Sequence, residues 1–186
     1  MDAVYIPPDS QKRLIQVSRR TLESFVRGAQ WQIDGVDDIY LLASQYGAFV
    51  SLHKRDELRG CIGTCFPTQS LYETVIEMTE AAASRDHRLP PIHARELSEI
   101  HIEISVLSAL TRAPDPLSLE IRSHGLHLES GARRAVFLPQ VAAEYGWDME
   151  TFLAQLYLKP GLQESAWRWP ETTISSFTAL IIGEDR

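Results

Sequence analysis

The chain has 186 residues, 44% of them hydrophobic and 23% charged, with 18 Lys+Arg against 25 Asp+Glu and a net charge of −7. That balance suits one globular domain, or two small lobes sharing an interface, and excludes a disordered, collagenous or disulfide-scaffold chain. The acidic excess argues against broad nucleic-acid binding, which needs cations to displace counterions from phosphate, and no apolar run approaches the roughly 20 residues that span a bilayer.

Pro7-Pro8 followed by Asp9-Ser10 predicts a helix from about residue 10, with Leu14, Val17, Thr21, Leu22, Phe25 and Val26 as its buried stripe. Lys12, Arg13, Arg19, Arg20 and Arg27 on the same helix read as a solvated outer face. The period changes to two from Gly47 to Lys54, a half-buried strand; Arg55-Asp56-Glu57 is a polar turn, and Leu58 to Cys65 is the returning strand. Ser70 with Glu73 forms a capping-box pattern ahead of a helix carrying Leu71, Val75, Met78 and Ala82. Arg85-Asp86-His87-Arg88 is a charged loop. Ile100 to Val106 is a strand with its isoleucines on one face and His101, Glu103 and Ser105 on the other. A second hairpin is predicted from Gly125 to Leu138 around Ser130-Gly131. Pro139 opens a short helix, Asp148 caps another, Lys159-Pro160-Gly161 stops it, and Thr172 to Ile182 reads as one final strand. Hairpins without a βαβ series indicate an α+β fold.

Chemistry concentrates at Leu58-Arg59-Gly60-Cys61-Ile62-Gly63-Thr64-Cys65. On a regular strand Arg59, Cys61, Gly63 and Cys65 share a face, and two strand glycines signal a bulge or a close approach to the backbone. A guanidinium beside Cys61 favours its thiolate; the competing reading is a small side chain buried in a tight strand. Glu103 is the second candidate, either wet or paired with Arg59 across a cleft. Arg85-Asp86, on a loop after a capped helix, is the third. Cys61 and Cys65 are too few for a structural zinc and, at roughly 13 Å along one strand, too far apart for a disulfide. No metal or cofactor is expected. Two cysteines, and a start (Met1-Asp2-Ala3-Val4-Tyr5-Ile6) lacking a signal peptide's basic and apolar regions, point to a reducing, cytoplasmic setting.

Leu58-Arg59-Gly60-Cys61-Ile62-Gly63 resembles, residue for residue, the signature of the AMMECR domain family. Gly47-Ala48-Phe49-Val50, Ala82-Ala83-x-Arg85-Asp86, Ile102-Glu103-Ile104-Ser105-Val106-Leu107-Ser108, His124-Gly125-Leu126, Phe137-Leu138-Pro139-Gln140-Val141 and Gly146-Trp147 extend the similarity over residues 9–182, leaving 1–8 as an N-terminal extension. The resemblance implies two closely packed lobes and a central antiparallel sheet packed with helices. Its motifs carry Arg59, Gly60, Cys61 and Gly63 from the signature, and Arg85, Asp86, Glu103 and Ser105 from the flanks. It also implies partners by company: relatives are often encoded beside, or fused to, a Memo-like protein and a radical S-adenosylmethionine enzyme, which suggests a shared modification pathway. Relatives commonly hold a further cysteine before a Lys-Ala-Gly-Leu segment, where this chain has Tyr157-Leu158-Lys159-Pro160-Gly161-Leu162, so a mechanism needing that thiol fails here. Cys65 lies where many relatives have another residue and reads as incidental. Many relatives also have Pro and Phe in place of His87 and Leu89.

The leading expectation is a ligand- or partner-binding module working with those two proteins, because no complete nucleophile, base and orienter set is visible. The alternative is an enzyme with Cys61 as nucleophile or thiol in a cleft with Arg59 and Glu103. A second alternative, RNA or other nucleic-acid binding through the Arg-rich first helix and the loop at 85–95, is disfavoured by the net charge.

Overall fold

A pair of prolines pre-sets the backbone for a helix start, where the missing N–H is not needed. In the computed structural model, which describes residues 3–29, 36–55, 57–163, 166 and 169–184, α1 (Pro8–Arg27) therefore begins two residues before Ser10 and ends on Gly28 in the left-handed region. Then follow β1 (Gly47–Lys54), β2 (Glu57–Thr64), α2 (Leu71–Ser84), a 3-10 helix (Ala94–Glu99), β3 (Ile100–Leu107), β4 (Thr111–Arg112), β5 (Gly125–Ser130), β6 (Arg133–Phe137), α3 (Pro139–Tyr145), α4 (Met149–Leu158), β7 (Thr172–Phe177) and β8 (Ala179–Gly183). Met1, Asp2 and Asp56, on which expectations also fell, lie outside the described residues.

The chain divides into two compact units, one of residues Tyr5–Leu107 with Leu180–Arg186 and the other of Ser108–Ala179 with Met1–Val4. Each has its own four-stranded sheet, so the expected α+β architecture of antiparallel strands packed with helices occurs twice rather than around one central sheet. Ile6, within the expected N-terminal extension, is a buried member of the first unit.

In the first unit the strand order is β2-β1-β3-β8, with β1 antiparallel to both β2 and β3. Alternation sends Val50, Leu52, Ile102 and Ile104 to one face, where they join Leu14 and Leu22 of α1 and Val75 of α2 in the core. Both halves of the capping box at Ser70 and Glu73 are made, which fixes where α2 starts. The buried stripe of α1 runs through Ser10, Leu14, Ser18, Thr21 and Leu22, and Phe25 is exposed rather than buried. Ser18 and Thr79 bond across the two helices at 2.8 Å. Arg19 does not belong to a solvated face. Its Nε donates to Glu184 at 2.7 Å and its two terminal nitrogens to the carbonyls of Leu97 (3.2 Å) and Ile100 (2.6 Å). Glu184 accepts in addition from the Ile102 N–H at 2.9 Å, so this ion pair ties α1, β3 and the end of the chain together.

In the second unit the order is β4-β7-β5-β6, and Leu126, Leu128, Phe152, Leu156 and Ile174 lie in its core. Asp148 caps α4 by accepting from the Thr151 N–H at 2.8 Å. The expected single strand from Thr172 to Ile182 is two strands in different sheets. The break falls at Thr178, whose N–H donates to Ser108 Oγ and whose carbonyl accepts from the Ser108 N–H, both at 3.0 Å. Among the described residues no helix is long and apolar enough to cross a membrane.

Candidate functional site

Residues 58–63 lie in β2, an edge strand, and the register of the sheet decides which neighbours they meet. Cys61 pairs with Ser51 on β1, and Ser51 pairs in turn with Glu103 on β3. Side chains directly opposite on antiparallel strands share a face, so Cys61, Ser51 and Glu103 form one row on the face away from the isoleucines. The Ser51 hydroxyl donates to Cys61 Sγ at 3.2 Å. The adjacent row is Gly63, Phe49 and Ser105. Cys61 and Glu103 are half-buried, and Ser51 and Ser105 are buried.

The two glycines work through close approach. A Cβ on Gly60 would overlap the carbonyl oxygen of Ala82 on α2, and one on Gly63 would overlap the Phe49 ring and the Ala48 carbonyl. Gly60 thus lets the edge strand sit against the helix backbone, and Gly63 makes room for an aromatic ring. The bulge that these glycines suggested is present one step earlier. Leu52 faces Gly60 and His53 faces Leu58, which leaves Arg59 as the extra residue. The bulge removes Arg59 from the alternation that would have placed it with Cys61, and β2 ends at Thr64, before Cys65.

Arg59 pairs with Glu96 instead of Glu103. Its Nε and one terminal nitrogen each donate to a Glu96 carboxylate oxygen at 3.1 Å, and its terminal nitrogens reach the carbonyls of Pro90 at 2.6 Å and Pro91 at 3.1 Å. The Arg59 and Glu96 side chains are 14% and 11% exposed, so this is a shielded fork pinning the loop after α2 to the bulge. The Arg59 hydrogen bond, working against burial, holds the Glu96 carboxyl down at about 2.

Asp86 makes the second clamp. Its carboxylate accepts from Arg88 Nε at 2.9 Å and from a terminal nitrogen at 2.7 Å, and also from the Cys61 N–H at 2.9 Å. The Arg88 hydrogen bond is the main reason that its carboxyl lies far below the usual range; burial opposes this and the Cys61 N–H adds to it. The outward backbone of the edge strand at Cys61 is therefore occupied by a side chain, and Arg88 leans on the Cys61 carbonyl at 3.4 Å. Arg88 is held more firmly protonated, chiefly by Asp86 and in smaller part by the charge of Cys61. The cation that senses Cys61 is thus Arg88, in the charged loop after α2. The Asp-x-Arg spacing after a helix was its available signal.

Of the expected residues, then, the structure brings Cys61, Glu103, Gly63 and Ser105 onto one face, with Gly60 and Asp86 supporting the strand from behind and from the side. Arg59 faces Glu96. Arg85 is exposed and lies 3.5 Å from the Glu77 carbonyl. Cys65 is a half-buried thiol pushed up to about 11 by burial. Ser51, Arg88 and Glu96 join the site unforeseen: Ser51 looked like an ordinary strand serine, and Glu96 lies 37 residues from Arg59. Among the described residues no group of three His, Cys, Asp or Glu side chains is placed to hold a metal ion.

A protein of Methanothermobacter thermautotrophicus is 36% identical over 95% of both chains, and one of Thermococcus kodakarensis is 36% identical over 92% of this chain and 89% of its own. A crystal structure of a Pyrococcus horikoshii protein superposes with a TM-score of 0.88 at 30% identity, covering 97% of this chain and 94% of that one. The AMMECR1 family model matches residues 15–182. With a family match over nearly its whole length and relatives 36% identical, this chain belongs to the AMMECR1 family.

Proposed function

We propose that the chain is a binding module of the cytoplasm, whose Cys61–Ser51–Glu103 row holds a small-molecule group or a partner's side chain rather than breaking a bond. The observation that carries this reading is the state of the ions around the signature. Asp86 and Glu96 are held ionised by Arg88 and Arg59, and carboxylates so acidic are poor bases for a thiol at neutral pH. The Ser51 hydroxyl also donates toward the sulfur instead of accepting its proton. What these residues provide is a rigid edge strand presenting a thiol, a hydroxyl and a carboxylate.

In this reading the module works with a Memo-like protein and a radical S-adenosylmethionine enzyme; the support is the family resemblance and the company its members keep. Mixing the chain with each purified partner in turn, followed by calorimetry, tests it. A complex that Glu103→Gln weakens by roughly tenfold is expected, the loss typical of a charge-assisted hydrogen bond. The absence of a complex with either protein, or one that Glu103→Gln and Ser51→Ala leave unchanged, overturns it.

A second reading, an enzyme with Cys61 as nucleophile, draws on one observation. The charge interaction between Arg88 and Cys61 favours the thiolate. Nucleic-acid binding has less support: Arg19 is spent on Glu184, and Arg13 lies 3.8 Å and 3.6 Å from Asp37 and Asp38.

A further inference from the structure

The second unit contains a cavity of about 690 Å³ that includes neither Cys61 nor Glu103. Its walls come from α4 (Leu153, Ala154, Tyr157), from β7 (Ile174) and from the segment after β4 (Pro114, Leu117). Volumes of this order suit small-molecule sites, which are mostly apolar with a few directing polar groups. One directing group is Tyr157. The residue is 3% exposed and lines the cavity, and its hydroxyl has no hydrogen-bond partner among the described residues. The ring is buried while the hydroxyl is not among the sealed polar atoms, so it opens on the cavity, where a ligand acceptor can take it in place of water. Burial pushes the Tyr157 phenol up to about 12, so it remains a donor throughout the physiological range.

Three charges stand in the same lining: Arg112, Asp115 and Glu150. All three residues are exposed, and none is ion-paired within the described residues. Two carboxylates against one guanidinium leave a net negative lining, which favours a cation there.

We propose that this cavity binds a small primary amine with an apolar body and a carbonyl acceptor, the carbonyl taking the Tyr157 hydroxyl and the ammonium lying toward Asp115 and Glu150. The shape of the site follows: an apolar wall for the body, the Tyr157 hydroxyl as the donor set within that wall, with Arg112, Thr172 and Thr173 also in the lining, and acid where the charge falls. The inference is independent of the Cys61 row, which lies on another sheet.

L-phenylalaninamide is a suitable probe, read by calorimetry on the full chain against N-acetyl-L-phenylalaninamide, which lacks the cation, and N-acetyl-L-phenylalanine, which carries a carboxylate. Saturable binding of the amine is expected, with a Kd on the order of 1 mM for so small a molecule. Tyr157→Phe should weaken it by roughly three- to tenfold, one neutral hydrogen bond, and Glu150→Gln by roughly threefold. Glu150 is exposed on the first turn of α4, so that variant keeps the test alive if Tyr157→Phe fails to fold. No saturable binding, equal binding of the acetylated amide, preference for the carboxylate, or indifference to both variants would each overturn the proposal.

Discussion

Gly60→Ala is expected to cost about 3 kcal/mol, near the top of the range for overpacking a tight site. The added methyl would meet the carbonyl oxygen of Ala82, and the carbonyl carbon lies 3.1 Å from the same point. Backbone cannot rotate out of the way as a side chain can, so β2 must move off α2. That displacement also carries Cys61 away from Ser51 and strains the Asp86 contact to its N–H. Gly131→Ala is the informative control. Gly131 sits at φ 59° with nothing near its missing Cβ, so only the left-handed backbone is penalised, at about 1 kcal/mol. Urea denaturation of the two variants separates the effects. A Gly60→Ala protein within 1 kcal/mol of wild type would mean that the close approach between strand and helix is not what the glycine provides.

Removing Arg59 is expected to cost about as much, for an electrostatic reason. Arg59→Met takes from Glu96 its forked partner, leaving it Lys54 at 3.6 Å and the His93 N–H, and strips two proline carbonyls of their donor, so the loss falls at the low end, roughly 3 kcal/mol, of that for breaking a buried pair. Lysine does not rescue it fully, because one ammonium cannot make the fork to Glu96 and reach both carbonyls. The double variant Arg59→Met with Glu96→Leu should recover part of the loss, since the shielded carboxylate goes with its guanidinium and Lys54 keeps Glu99 at 3.5 Å. The same pair shapes the acid limb of stability. Glu96 titrates at about 2 when folded, below an unfolded carboxyl near 4.3, so the unfolded chain takes up more protons as the pH drops through that interval. Its stabilisation is complete above the unfolded value and is lost as pH falls toward the folded one, and Asp86, also depressed, adds in the same direction. Arg59→Met should flatten the Glu96 share of that slope. Urea midpoints measured from pH 6 to pH 2.5 check it, and an unchanged slope counts against the Arg59–Glu96 fork.

Much of the fold was readable because its signals were local. The alternating isoleucines of β3, the capping box at Ser70 and Glu73, Pro139 opening α3 and Asp148 capping α4 each depend on a few adjacent residues. The final strand misled because apolar alternation continues past Thr178, and what breaks it is a pair of hydrogen bonds to Ser108, 70 residues away. The site was legible in its members and less so in its pairings. Cys61 and Glu103 do share a face, but their link is Ser51, whose place follows from strand register rather than from any motif. Arg59 was matched to Glu103 by counting parity along β2. A single bulged residue cancels that count and sends the guanidinium to Glu96. Asp86 and Arg88 are two residues apart and their pairing was within reach of the sequence; that the clamp closes on the Cys61 N–H depends on how the loop folds back over the edge strand.

The most direct test of a binding surface against a thiol catalyst is the rate at which Cys61 is alkylated by iodoacetamide at pH 7, followed by peptide mapping. Cys65, kept protonated by its burial, reports separately in the same digest. A binding module predicts that Cys61 reacts no faster than free glutathione, its sulfur accepting from Ser51 on a fixed strand. A Cys61 reacting tenfold faster than glutathione, and slowed when Arg88 is replaced by Met, would contradict that account and establish the thiolate as the working group.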